Sequence, residues 1–122
     1  GWTPAEVDAI TVDARRYGFH GTLKAPFRLA DGRSLAELDD MVRAFARTHD
    51  ALAIPRLALA RLGGFFALVP GGHSAALHEL ADAIVTGFDH FRAPATAEEL
   101  ARRRPDELPP RQRELLLAWG YP

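Results

Sequence analysis

The sequence predicts an α+β domain in which an antiparallel sheet carries its helices on one face. Stretches in which apolar and polar residues alternate are interleaved with stretches that have the 3.6-residue apolar spacing of a helix. Their order is helix, strand, helix, two strands and then helices only, which is typical of an α+β layout. The 122 residues, 48% of them hydrophobic and 25% charged, suit a single domain over residues 1–122.

The first predicted elements are a short helix and a strand. Thr3, Pro4 and Glu6 provide a hydroxyl N-cap, a proline at the first helical position and a capping-box glutamate, and the helix they begin should end near Ala14. Residues 17–27 alternate with a period of two, which indicates a half-buried strand. The two faces of this strand would carry Tyr17, Phe19 and Leu23 on one side and His20, Thr22 and Lys24 on the other.

The rest of the chain predicts a hairpin and four further helices. A capping box at Ser34 and Glu37 begins an amphipathic helix, and the Gly63-Gly64 pair separates two apolar stretches that would form adjacent strands. Capping residues and prolines delimit the last three helices. The predicted boundaries are 34–48 for the helix, 52–62 and 65–69 for the strands, and 74–88, 96–105 and 110–119 for the later helices.

Charge and composition exclude several classes of function. The net charge of -1 gives no overall field that would attract nucleic acid or an anionic membrane, so any phosphate binding must be local. The chain has no cysteine, no HExxH sequence and no apolar stretch of the roughly 20 residues that a membrane span needs. These features predict a soluble cytoplasmic protein that uses no metal and no cofactor.

One face of the strand predicted at residues 17–27 gathers an imidazole, a hydroxyl and an ammonium group. His20, Thr22 and Lys24 would project together at intervals of roughly 6 to 7 Å, so a single phosphate could meet all three. A histidine can move protons near neutral pH, a threonine hydroxyl can donate to a phosphoryl oxygen, and a lysine can offset its charge. Gly21, on the opposite face, would let another element approach closely. The alternative is an ordinary strand histidine beside a threonine chosen for its β propensity, because an isolated H-x-T tripeptide is a weak signal.

Several segments together resemble a known superfamily. YGFHGTLKAPFRLADG resembles the first H-x-T motif of the two-histidine (2H) phosphoesterases, and more specifically their bacterial DUF1045 branch, which is associated with phosphonate metabolism. LGGFFALVP, FDHFRAP, ELARRRP and LLLAWGYP are similar to further segments of that branch, so the resemblance covers nearly the whole chain. Gly21 stands where the branch more often has alanine, which keeps the side chain small.

The resemblance implies a two-lobed fold in which each half gives one strand-borne H-x-T/S motif to a shared cleft. His20 would then be catalytic and Thr22 would bind phosphate. One histidine would act as general base and the other as general acid, without a metal, on a cyclic phosphodiester or on a small phosphorylated or phosphonate-derived metabolite. Such an enzyme would be a hydrolase.

A second H-x-T or H-x-S tripeptide does not occur in these residues. We therefore expect the sequence to be a fragment of the complete enzyme and to have little activity alone. A homodimer could also supply the second histidine, because two copies could bring two His20 side chains into one cleft. The other four histidines, at positions 49, 73, 78 and 90, are expected to have structural or solvated roles.

Further cations could also contact phosphate. Arg92, in a loop after the third long helix, is a candidate for lining the cleft, whereas the basic run at residues 102–104 is better interpreted as a solvated helix face that nearby acidic residues neutralise. Two other functions stay open. The domain could bind a phosphorylated ligand or an RNA end without catalysis, or it could be a structural partner if the final helices cover the polar face of the strand.

Overall fold

The computed structural model describes residues 1–18 and 20–121. Within them the chain forms five α-helices and one two-stranded antiparallel sheet, which confirms the α+β class. In chain order the elements are α1 (Pro4–Thr11), α2 (Leu35–Arg47), β1 (Leu57–Leu62), β2 (Phe65–Pro70), α3 (Ala75–Gly87), α4 (Ala97–Arg103) and α5 (Pro110–Trp119).

Side-chain caps determine where three of the helices begin. The hydroxyls of Thr3, Ser34 and Thr96 each accept a hydrogen bond from a backbone amide three residues later. The glutamate at that position accepts a hydrogen bond from the backbone amide of the cap residue, which completes a capping box. Because a cap is made by residues close together in sequence, the predicted helix starts agree with the structure to within a few residues.

The strands β1 and β2 form a hairpin with one apolar face in solvent. Cross-strand pairing places Leu59 opposite Leu68 and Arg61 opposite Phe66 on the exposed face. Leu59 is 71% exposed and Phe66 is 72% exposed. The opposite face is better covered: Ala60, Ala67 and Val69 are half-buried there. We call the surface formed by Leu57, Leu59, Phe66 and Leu68 the exposed hairpin face.

The strand predicted at residues 17–27 is wrong for the described part of that segment. Residues 20–27 have no strand structure, and the nearest pairing is an isolated antiparallel bridge between Leu29 and Arg92. Gly18 adopts a φ of 70°, which breaks an extended backbone, and its amide bonds back to the carbonyl of Arg15. Alternation gives a segment the side-chain pattern of a strand, but a strand also needs a neighbour to accept its backbone hydrogen bonds, and the hairpin does not pair with this segment. The predicted orientation of Phe19 lies outside the described residues.

A small core lies at the end of α3, in the 3₁₀ turn Asp89–Phe91 that follows it, and on α5. Phe88, Phe91 and Leu116 are the buried apolar residues of the described chain. The backbone of residues 28–30 is tied to this turn, because the amide of Ala30 donates to the carbonyl of Phe91 over 2.8 Å. These backbone bonds attach the C-terminal end of the segment that contains His20 to the core. Among the described residues, no helix combines the length and apolar character that crossing a membrane would require.

Candidate functional site

The residues of the H-x-T segment border an open groove of about 650 Å³, which we call the histidine groove. His20, Thr22 and Lys24 all line it, so the structure brings the three predicted groups to one surface although their backbone is not a strand. Its other walls are largely apolar, and they are formed by Tyr17, Ala25, Pro26, Phe27, Leu29, Leu35 and Leu38.

His20 is exposed, and its ring is held by local contacts. Its Nδ1 lies 3.0 Å from the carbonyl oxygen of Gly18, and the ring centroid lies 5.7 Å from that of Tyr17. Since a carbonyl oxygen can only accept, Nδ1 must carry the proton that it donates. In the neutral ring the other nitrogen, Nε2, then has a free lone pair. This is the tautomer in which Nε2 can take a proton from a bound water or hydroxyl group.

Thr22 and Gly21 are also exposed. A hydroxyl on an open groove wall can rotate to donate to a ligand oxygen, as the predicted role of Thr22 requires. The prediction that Gly21 allows close approach of another element is wrong, because a Cβ added there would meet no atom of the described chain within 4 Å. A glycine is therefore not needed at position 21 for packing.

Lys24 lies at the base of the histidine groove, where its side chain is only 7% exposed. Its Nζ donates to the carbonyl oxygen of Val85 at 3.0 Å and to Asp89 Oδ1 at 3.2 Å. Arg92 donates two hydrogen bonds to the same carboxylate: Nε lies 2.7 Å from Oδ1 and Nη2 lies 3.0 Å from Oδ2. We call Lys24, Asp89 and Arg92 the Asp89 cluster. Two cations share one carboxylate, so the cluster carries a formal charge of +1.

The Asp89 carboxylate is stabilised in its ionised form. Burial raises its pKa, but hydrogen bonds and charge from Arg92 and Lys24 outweigh that effect and leave the pKa below its ordinary value. Asp89 therefore stays negative at neutral pH and keeps both cations in place. Asp89 was not among the site residues predicted from the sequence. The i, i+3 spacing of Asp89 and Arg92 was a local signal, whereas nothing in the sequence indicated that Asp89 would also pair with Lys24, 65 residues earlier.

Arg92 does not line the histidine groove. It borders a second groove of about 310 Å³, which we call the arginine groove. Its guanidinium also donates to the carbonyl oxygen of Ala118 at 2.9 Å, at the end of α5. The arginine groove is lined by Pro26, Phe27, Arg28, Arg92, Ala93, Ala95, Glu99, Arg102, Arg103 and Gly120. Pro26 and Phe27 border both grooves, so the two lie on either side of the same segment.

The other histidines make local contacts, as expected. His49 Nδ1 lies 2.8 Å from the carbonyl oxygen of Phe45, and its ring stacks on that of Phe45. His78 Nδ1 is placed in the same way against the carbonyl oxygen of Ser74, and its ring stacks with His73. Of the described residues that line the histidine groove, His20 is the only histidine.

Comparison with known proteins identifies the family. Residues 22–122 match the family described as "Protein of unknown function (DUF1045)", and the chain belongs to this family. It is 46% identical over 116 residues to a Janthinobacterium protein named "Ribose 1,5-bisphosphate phosphokinase PhnN", with 95% of this chain and 26% of the relative covered. It is 38% identical over 122 residues to a Laribacter hongkongensis protein of the same name, with 100% of this chain and 28% of the relative covered. The chain thus spans about a quarter of the length of these relatives. No solved structure matches it.

Proposed function

We propose that this chain supplies one histidine and hydroxyl pair to a metal-independent phosphoesterase of the two-histidine type that acts on a small phosphorylated metabolite. The observation that carries the proposal is the placement of exposed His20, with Nδ1 engaged and Nε2 free, beside Thr22 on one groove. The names of the two relatives refer to a phosphorylated pentose, which supports a metabolite of that class. A cyclic phosphodiester or a phosphonate-derived compound fits the same chemistry.

The residues of the histidine groove have distinct roles in this proposal. His20 Nε2 takes a proton from the attacking water, or in its protonated form gives one to the departing oxygen, and a positioned proton transfer of this kind contributes roughly 10²- to 10⁴-fold. The Thr22 hydroxyl donates to a phosphoryl oxygen on which charge develops. Lys24 and Arg92 act as charges rather than as direct ligands, because both are held by Asp89 and together leave the excess of +1 beneath the groove.

A two-histidine mechanism needs a second imidazole in the opposite protonation state. In our proposal it comes from another H-x-T/S motif, either in a longer polypeptide or in a second copy of this chain. An isologous dimer would place two equivalent His20 residues across one cleft. Sedimentation at the assay concentration separates these cases: activity of the 122-residue chain that appears only with its dimer would support a second copy. Activity in a strictly monomeric 122-residue chain would contradict both sources of the second imidazole.

The test is hydrolysis of a 2′,3′-cyclic nucleotide and of a cyclic pentose phosphate in EDTA, with the protein in the form that its gene encodes. We expect His20→Gln and Thr22→Val each to lower the rate by about 10²-fold or more. His78→Gln is the matched control. His78 Nδ1 also contacts a nearby backbone carbonyl, that of Ser74, but His78 does not line the histidine groove. Hydrolysis at the original rate by His20→Gln would remove His20 from the mechanism.

The second candidate is a module that binds a phosphorylated ligand or an RNA end without turnover. It is favoured by the presence of a single histidine among the described residues of the groove. Equilibrium binding of a pentose phosphate and of a 3′-phosphorylated oligonucleotide, each weakened by His20→Gln while neither is hydrolysed, would support this function over catalysis.

A further inference from the structure

The arginine groove is a concave surface lined mainly by cations. Four guanidinium groups line it, those of Arg28, Arg92, Arg102 and Arg103, and a single carboxylate faces them, that of Glu99. The chain as a whole carries a net charge of -1, so this concentration of positive charge is local. Planar guanidinium groups pair with oxyanions through two parallel hydrogen bonds, which a lysine cannot match.

The nearby carboxylates do not neutralise these arginines fully. Glu99 binds Arg28 through both oxygens, at 3.3 and 3.2 Å, and Asp89 is shared by Arg92 and Lys24. Glu98 lies 3.7 Å from Arg102, and that pair is largely exposed to solvent. Five cations, including Lys24, therefore meet these three carboxylates and that of Asp31, whose charge also acts on Arg28, and the remaining excess of +1 is a reason for an anion to bind there.

Two of the four arginines are free to reorient toward a ligand. Arg103 makes no ion pair with any residue of the described chain, and the Arg102 side chain is 68% exposed. Both belong to the last turn of α4, beside each other at the rim of the groove. Arg92, in contrast, is fixed by Asp89 and by the Ala118 carbonyl, and so provides a rigid wall. The groove thus combines a held guanidinium with two exposed ones that a ligand can contact.

We propose that the arginine groove binds an oxyanion of the phosphoryl class at a site separate from His20. Arg102 and Arg103 would contact the ligand directly, and Arg28 would join them by releasing Glu99. Because Pro26 and Phe27 separate this site from the histidine groove, a metabolite with two phosphoryl groups could place one on each side of that segment. The anion site itself does not depend on any chemistry at His20.

The experiment is an NMR titration of ¹⁵N-labelled 122-residue chain with inorganic phosphate, with ionic strength held constant by sodium chloride. In the wild type we expect saturable shifts of the amides around the groove. The double variant Arg102→Gln/Arg103→Gln should weaken the affinity about tenfold or more, which corresponds to the loss of charge-assisted hydrogen bonds. Arg43→Gln/Arg111→Gln removes the same charge from two exposed helical ion pairs outside the groove and should leave the affinity unchanged.

Two further variants distinguish an anion site from a structural arginine cluster and from the histidine groove. Glu99→Gln removes the competing carboxylate but keeps an amide that can still close the capping box with Thr96, so it should strengthen phosphate binding several-fold. A purely structural arginine cluster would not respond in that direction. His20→Gln should not alter the affinity, which separates this site from the proposed phosphoesterase function. Binding that is absent in the wild type, or that falls equally in both double variants, would overturn the proposal.

Discussion

At the scale of single residues, Asp89 determines what Lys24 can do. The sequence placed Lys24 on a polar strand face where its ammonium would meet a ligand, but the structure turns it inward onto Asp89 and the Val85 carbonyl. An ammonium group with so little exposure must keep its partners, since an unpaired buried charge costs several kcal/mol. The cluster thus links the histidine segment to the end of α3 and, through Arg92, to α5.

Replacement of Asp89 by asparagine should therefore destabilise the protein. Asp89→Asn leaves Lys24 and Arg92 without their shared negative partner, and we expect the free energy of unfolding to fall by about 3 kcal/mol. Urea denaturation followed by circular dichroism measures the effect. Asp39→Asn is the control, because its ion pair with Arg43 is exposed and should contribute less than about 0.5 kcal/mol. Equal losses in the two variants would show that the Asp89 cluster is no stronger than a surface pair.

Glu99 should make stability depend on acid pH. The hydrogen bonds from Arg28, assisted by the Thr96 backbone amide, lower the Glu99 pKa from 4.5 to about 2. A carboxyl whose folded pKa is depressed stabilises the fold above its unfolded pKa, and the stabilisation disappears as pH falls through the folded value. We expect Glu99→Gln to lose less stability than wild type between pH 4.5 and about 2, measured by thermal unfolding. Parallel pH curves for the two proteins would contradict this.

At the scale of secondary-structure elements, those that depend on nearby residues were predicted correctly from the sequence, and the one that depends on a distant partner was not. The helices were predictable, because capping boxes at Thr3, Ser34 and Thr96 involve residues only three positions apart. The hairpin was predictable for the same reason, since its turn is short. The strand expected at residues 17–27 was not, because strand formation depends on a distant partner that alternation alone cannot reveal. The candidate site followed this division: His20 and Thr22 were identified from a local motif, whereas Asp89, which organises the surroundings of Lys24 and Arg92, was not.

Gly120, at the end of α5, lines the arginine groove and lies next to Arg92. Gly120 terminates the helix with a φ of 86°, and a Cβ there would lie 3.2 Å from Arg92 Nη1. Gly120→Ala should therefore lower the free energy of unfolding by about 1 kcal/mol or more, since it adds both backbone strain and a close contact. Chemical denaturation tests this against Gly72→Ala, whose added Cβ would meet nothing within 4 Å. A loss in Gly72→Ala as large as that in Gly120→Ala would rule out the conformational explanation.

At the scale of the whole molecule, the chain exposes much more surface than its mass predicts. A compact monomer of 13.4 kDa would expose about 6,500 Å², whereas this chain exposes 9594 Å². The small core of Phe88, Phe91 and Leu116 agrees with that difference. The exposed hairpin face contributes four large apolar side chains to the uncovered surface, and apolar patches on soluble domains mark contact surfaces or sites of association.

The exposed hairpin face should consequently dominate the solution behaviour of the isolated chain. We expect strong fluorescence of an apolar dye such as ANS, together with concentration-dependent association in sedimentation experiments. Leu59→Lys/Phe66→Lys places two charges on that face without changing the strand pairing, and it should reduce both signals. Ile10→Lys is the control, because Ile10 is similarly exposed at 67% but belongs to α1 and not to the hairpin. If Ile10→Lys reduced dye binding as much as the hairpin variant, the apolar surface would be spread over the molecule and the hairpin would have no special part in association.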